Sequence, residues 1–224
     1  MKGIWWKAAS LLLILYSLVG GLLFEVPELP ILNESIRNLY FHVTMWFAMI
    51  AIFSYGFFCS IMYLARGTEK WDLASVESNN TGIFFGILGL LTGMVWAKYT
   101  WGEPWPSDPK LNSAAIAMLV YLAYLVLRGS IDEDQKRGRI SAVYNIFAYP
   151  VMIALLFILP RMTDSLHPGN GGNPGFNSYD LDASLRRVFY PAVLGWILFA
   201  VWIMTVRLRI RKIQNHLNES EDQL

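Results

Sequence analysis

The chain has 224 residues, of which 55% are hydrophobic and 16% charged, with 18 Lys and Arg set against 17 Asp and Glu. Nucleic-acid binding needs a basic excess, and intrinsic disorder needs low hydrophobicity with a large net charge, so both are excluded. The single cysteine, Cys59, excludes a disulfide framework or a CxxC metal site within the chain. A mean hydropathy of +0.39, with nine Trp, eleven Tyr and thirteen Phe, points to a lipid-embedded protein.

A helix needs roughly 20 largely apolar residues to cross a hydrocarbon core about 30 Å thick. Six charge-poor runs of that order occur, and they predict an all-α polytopic bundle of six transmembrane helices. The first, residues 4–24, follows Lys2 and Lys7 and reads as a retained signal-anchor. Glu25, Pro27 and Pro30 stand where a small-residue cleavage site would be needed. The second covers 39–64. The third and fourth, 82–97 and 113–127, are short and flank a Trp-rich connection. The fifth covers 140–159 and the sixth 188–206; Pro150 and Pro191 are expected to kink them, because proline removes a backbone donor. Residues 1–212 thus form one six-helix domain, and 213–224 a polar, frayed tail.

Orientation follows from the basic residues near the span ends. Twelve, among them Lys2, Arg66, Arg128, Arg137 and Arg207, fall on the side of the termini, and six on the other: Arg37, Lys98, Lys110, Arg161, Arg186 and Arg187. Both termini are therefore expected in the cytoplasm, which requires an even number of spans, and six satisfies it. The connections over 25–38, 99–112 and 160–187 then lie on the outer face.

Two of the three histidines fall on that outer face. His42 sits in Tyr40-Phe41-His42-Val43 near the start of the second span, and His167 in Leu166-His167 just beyond the fifth. Two imidazoles on one membrane face can serve as headgroup-level hydrogen-bonding groups, or can meet across a cavity and ligate one metal centre from opposite sides. His216 lies in the cytoplasmic tail and is assigned no role.

The connection from Trp96 to Asn112, with Trp101-Gly102-Glu103-Pro104-Trp105-Pro106-Ser107-Asp108-Pro109-Lys110-Leu111 at its heart, concentrates indoles, prolines and an acid. It reads either as part of an interfacial aromatic belt or as a rigid platform for a flat apolar macrocycle. Just upstream, Gly82, Gly86, Gly89 and Gly93 fall on one stripe of the third span. Close helix packing is the default explanation of such a stripe, and a groove for a planar ligand the alternative. Phosphate loops, nucleophile triads and carboxylate pairs buried mid-membrane are absent, so hydrolysis and ion pumping lose support, and no enzyme reaction is indicated.

This Trp-rich segment, with Tyr40-Phe41-His42-Val43 before it and Leu166-His167 after it, resembles the tryptophan-rich (WWD) haem-handling family of cytochrome c biogenesis. Six spans and two outer histidines resemble its haem exporter C branch (CcmC) more than the larger haem-lyase branches. The likeness runs from the first span to the sixth.

The resemblance implies a multi-pass protein of the bacterial inner membrane with a periplasmic site for non-covalent, b-type haem. His42 and His167 would be the axial ligands, and Trp101, Gly102, Trp105 and Asp108 the platform. Asp108 either orients the loop by bonding backbone donors or pairs with Lys110, Arg37 or Arg161, and the same cations are candidates to neutralise the haem propionates. The partners implied are a periplasmic haem chaperone (CcmE-like), nucleotide-hydrolysing ABC transporter subunits (CcmA/CcmB-like), a small membrane subunit (CcmD-like) and membrane lipid. Nucleic acid is not among them. Pro104 and Ser107 stand where the family often carries Trp, and Lys110 where Arg is common. The Gly/Asn/Pro segment 168–175 is longer than usual and is expected to be mobile. Two rival functions remain: a b-type electron-transfer subunit, which usually carries four histidines spread over both sides of the bilayer, and a small-molecule transporter, which wants charges at the midplane.

Overall fold

The computed structural model describes residues 3–29, 31–167 and 181–221. The segment 168–175, expected to be mobile, lies outside the described residues. Six helices, α1 (Trp5–Leu23), α2 (Thr44–Arg66), α3 (Glu69–Trp101), α4 (Pro109–Gly129), α5 (Asp134–Ile153) and α6 (Ala183–Glu221), carry the chain back and forth. All six are long and apolar enough to cross a membrane.

The helix ends follow local chemistry. α2 stops at Gly67, which takes the left-handed conformation that a side chain disfavours, and α3 stops in the same way at Gly102, with φ of 90°. α4 starts at Asp108, whose carboxylate caps the amides of Lys110 and Leu111, with Pro109 in the first turn where no amide is needed. A short 3-10 turn (Asn33–Asn38) and a π turn (Leu39–Val43) lead into α2, and a second π turn (Ala154–Ile158) continues α5 four residues after Pro150. α6 continues through Pro191.

α2 is the central helix, packed on α3, α5 and α6, while α1 docks on α6. The main core gathers Met49, Ile52, Phe53, Phe85, Met118, Tyr121 and Met152. A second cluster, Ile36, Leu39, Tyr40, Leu185, Val188 and Phe189, closes the end of the bundle opposite the termini. Much of the outer surface is apolar, as at Leu12, Val126 and Phe147, which suits a bundle solvated by lipid.

Two helices are longer than the charge-free runs suggest. α3 begins at Glu69 rather than near residue 82; its 33 residues span about 50 Å, well beyond the hydrocarbon thickness. α6 runs on to Glu221, into the segment expected to fray. The extensions are stitched together by polar contacts. Glu77 of α3, 2% exposed, receives Arg207 Nε at 2.7 Å and Arg211 Nε at 3.1 Å, and Asn215 donates to Glu69 at 3.0 Å. Asp72 holds Arg128 of α4 in a two-pronged pair at 2.6 and 2.9 Å. Charges end a hydrophobic run in the sequence but do not end a helix whose charges find partners on its neighbours.

Candidate functional site

His42 lies in the π turn before α2, a local widening that often accompanies functional sites. Its Nδ1 stands 3.0 Å from the carbonyl oxygen of Gly89 and 3.2 Å from Thr92 Oγ1, both on α3. A carbonyl only accepts, so the ring proton resides on Nδ1 and Nε2 keeps its lone pair. The ring is flanked edge-on by Trp46 and Trp96, with centroids 6.2 and 5.7 Å away. Trp96 is itself oriented by donating Nε1–H to Ser35 Oγ at 3.1 Å.

The glycine stripe explains why α2 and its histidine sit so close to α3. A Cβ at Gly82 would collide with Phe53, at Gly86 with Met118, at Gly89 with Trp46 at 2.9 Å, and at Gly93 with His42 Cε1 at 2.7 Å. The stripe is therefore a packing surface, and its last member makes room for the imidazole.

His167 comes from the other side of the site. Asp108, 1% exposed, accepts from His167 Nδ1 at 3.1 Å through Oδ1, the oxygen that also caps α4. Its Oδ2 accepts from Ser165 Oγ at 2.9 Å and from the Leu166 amide at 2.7 Å. One carboxylate thus starts a helix and fastens the histidine loop to it. Burial disfavours the Asp108 charge, but the hydrogen bonds from His167, Leu166 and Ser165 outweigh it and hold the carboxyl well below the usual carboxylate range. Burial also lowers the His167 pKa, against the opposing pull of Asp108 and with help from the Lys110 ammonium. At neutral pH the contact is therefore a neutral imidazole donating Nδ1–H to a carboxylate, again leaving Nε2 as the free lone pair.

The two imidazoles lie within electrostatic reach of each other, and the Lys110 ammonium is near both. Trp101, the last residue of α3, meets the His167 ring at a centroid distance of 4.8 Å and 65° between planes. Trp105 donates Nε1–H to Asn112 at 3.1 Å, which fixes its indole to α4. Gly102 makes the turn between them; a Cβ there would meet open space, so glycine is required by the backbone angle alone. Trp101, Gly102, Trp105, Asp108, His42 and His167 are thus gathered at one end of the bundle.

Arg37 is tied up differently. Its Nε pairs with Glu34 at 2.6 Å and its Nη1 donates to the carbonyls of Gly21 and Phe24 at 3.0 and 2.7 Å, so it caps the C-terminal end of α1. Asp108 takes its partners from the histidine loop and its own helix start. Thr92, Trp46 and Ser165 escaped sequence reasoning, because none carries a signal apart from its place in the fold. The Asp-Pro pair at 108–109 did carry one, that of a helix start.

Six long helices with an apolar outer surface, and two oriented imidazoles at one end, define a multi-pass helical membrane protein. The chain belongs to the heme exporter protein C family, whose model matches residues 2–223. It is 27% identical to the heme exporter protein C of Rhodobacter capsulatus over 92% of this chain and 86% of that protein. The corresponding protein of Bradyrhizobium diazoefficiens is 28% identical over 91% of this chain and 75% of its own length, and that of Escherichia coli K12 23% over 92% and 81%.

Proposed function

We propose that this chain binds haem at the periplasmic face of the bacterial inner membrane and delivers it to a periplasmic haem chaperone (CcmE-like) for c-type cytochrome biogenesis. The haem is held non-covalently, with His42 and His167 as axial ligands. Family membership supports a role in haem export, and the excess of basic residues on the side of the termini supports a periplasmic site.

The observation that carries the reading is the matched preparation of the two imidazoles. Each gives its Nδ1–H to an acceptor, Gly89 O for His42 and Asp108 for His167, and each keeps Nε2 for iron. Such outer partners fix the ring orientation and raise ligand basicity. The partners differ in kind: His42 is anchored to a helix backbone, whereas His167 is held by a side chain to a loop. His42 is the permanent ligand, and His167 the one released when haem is handed on.

Trp101 and Trp105 supply apolar faces and edges for the macrocycle. Lys110 and Arg161, at the start of α4 and the end of the fifth span, supply positive charge for the propionates. Arg37 contributes by fixing α1 against the turn that leads to His42. Energy comes from ABC transporter subunits (CcmA/CcmB-like) with a small membrane subunit (CcmD-like), since the sequence contains no phosphate loop.

The test is the absorption spectrum of the purified chain. Wild-type protein is expected to show the low-spin bands of bis-His haem, and His42→Ala and His167→Ala are each expected to lose them while still inserting in the membrane. Unchanged spectra in both variants would refute the ligand assignment.

A further inference from the structure

The chain between α1 and α2 is fastened to α3 by three hydrogen bonds in succession. Trp96 donates Nε1–H to Ser35 Oγ at 3.1 Å, Asn38 donates Nδ2–H to the Thr92 carbonyl at 3.1 Å, and His42 donates Nδ1–H to the Gly89 carbonyl at 3.0 Å. Positions rise on one segment as they fall on the other, so the two run antiparallel and each rung stands about one helical turn from the next. The neighbouring hydroxyls are committed as well. Ser35 gives its proton to the Leu32 carbonyl at 2.6 Å, and Thr44, fully buried just after the π turn, gives its own to the Tyr40 carbonyl at 2.8 Å.

Thr92 forms the middle rung and meets the π turn twice. Its carbonyl holds Asn38, the residue before the turn. Its hydroxyl proton goes to the Leu88 carbonyl at 2.7 Å, so the oxygen is left to accept, and it faces His42 Nδ1 at 3.2 Å. Two acceptors thus converge on one imidazole N–H. The ring torsion of histidine is roughly two-fold, and turning the ring over exchanges Nδ1 for Cδ2 with little change in shape, while Nε2 comes to point elsewhere. Trp46 and Trp96 bound the ring edge-on, and such contacts do not tell nitrogen from carbon. The hydrogen bonds to α3 do.

We propose that Asn38 and Thr92 are the positioning residues of His42. They clamp the π turn to α3 at either end, and so fix which edge of the imidazole faces Gly89 and where Nε2 points. The inference rests on the reading of His42 as a haem ligand and deepens it: both residues act through His42, not on the haem. An Nδ1–H shared by two oxygens makes the imidazole a stronger donor, so the clamp also lowers the reduction potential of the iron.

The test uses the full chain in detergent with near-isosteric changes, Asn38→Leu and Thr92→Val, and with Thr92→Ser, which keeps the hydroxyl. The first readout needs no haem. Imidazole nitrogen resonances of His42, assigned by their loss in His42→Ala, are expected to show the Nδ1–H tautomer in the wild type. The ratio of the Nε2–H to the Nδ1–H form is expected to rise about fivefold or more in Asn38→Leu and in Thr92→Val, the change that one lost hydrogen bond sustains. Thr92→Ser is expected to restore the wild-type ratio. The second readout is the midpoint potential of the haem-loaded protein, expected to move upward in Thr92→Val and to return in Thr92→Ser. Wild-type nitrogen resonances in both Asn38→Leu and Thr92→Val overturn the proposal, as does a Thr92→Ser protein that behaves like Thr92→Val. Failure of the haem reading shows elsewhere, as low-spin bands that survive His42→Ala, and does not touch the nitrogen measurement.

Discussion

Asp108 Oδ1 accepts the Nδ1–H of His167 at 3.1 Å across 59 residues of chain, while the same carboxylate caps α4 and holds the Leu166 amide. Hydrogen bonds to a charged group are worth roughly 1.5–3 kcal/mol each, so removing the carboxylate frees the histidine loop as well as the helix start. Asp108→Ala is expected to weaken haem binding by roughly 10- to 100-fold, the usual cost of losing an outer partner of a metal ligand. Asp108→Asn keeps an acceptor and falls between that variant and wild type. Haem titration followed by absorbance checks the order, and equal affinity in all three proteins would contradict the role.

Gly93→Ala separates site geometry from helix stability. Alanine favours a helix by about 1 kcal/mol over glycine, so the fold is not weakened by propensity. The added Cβ, however, stands 2.7 Å from His42 Cε1 and must push the ring away from Gly89. The variant is expected to retain thermal stability in detergent and to lose haem affinity. Normal haem binding would show that the His42 position is not set by this contact.

Acidification of the haem-free protein tests the loop contact. The folded pKa of His167 is lowered, first by burial, so docking is fully favoured above the ordinary histidine pKa of about 6.5. It weakens as pH falls below that value, because the undocked loop takes up the proton more readily. Asp108 has the same sign at lower pH: its support is complete above the usual pKa of about 4 and is lost only as pH falls through its lower folded value. Imidazole nitrogen resonances of His167 should therefore show the neutral Nδ1–H form persisting below pH 6.5.

Glu77→Gln removes the charge that joins α3 to α6. The carboxylate is buried but its two arginines are 43% exposed, so the cost is held to about 2 kcal/mol, below that of a fully buried pair. Unfolding in mixed micelles is expected at lower denaturant, with an unaltered haem spectrum.

The number of spans and the shared end of His42 and His167 were legible in the composition and placement of each segment, whereas the helix ends emerged only in the structure. Lipid demands long apolar runs, Asp108-Pro109 opens a helix, and Gly67 and Gly102 close them. Reading helices from charge-free runs failed for the first turns of α3, where Glu77 is charged in the sequence yet neutralised by residues 130 and 134 positions away. Arg37, a cation near His42 in the sequence, donates in the fold to the carbonyl end of α1, a placement that only packing decides.

The amino-acid sequence alone thus determined a six-span helical membrane protein with two imidazoles at one end, since the solvation of each segment depends on its own composition. Only the tertiary structure decided that Asp108 orients His167, that Gly89 orients His42 and that Glu77 receives Arg207 and Arg211. Those contacts join distant positions, and their directional hydrogen bonds take shape only when the helices pack.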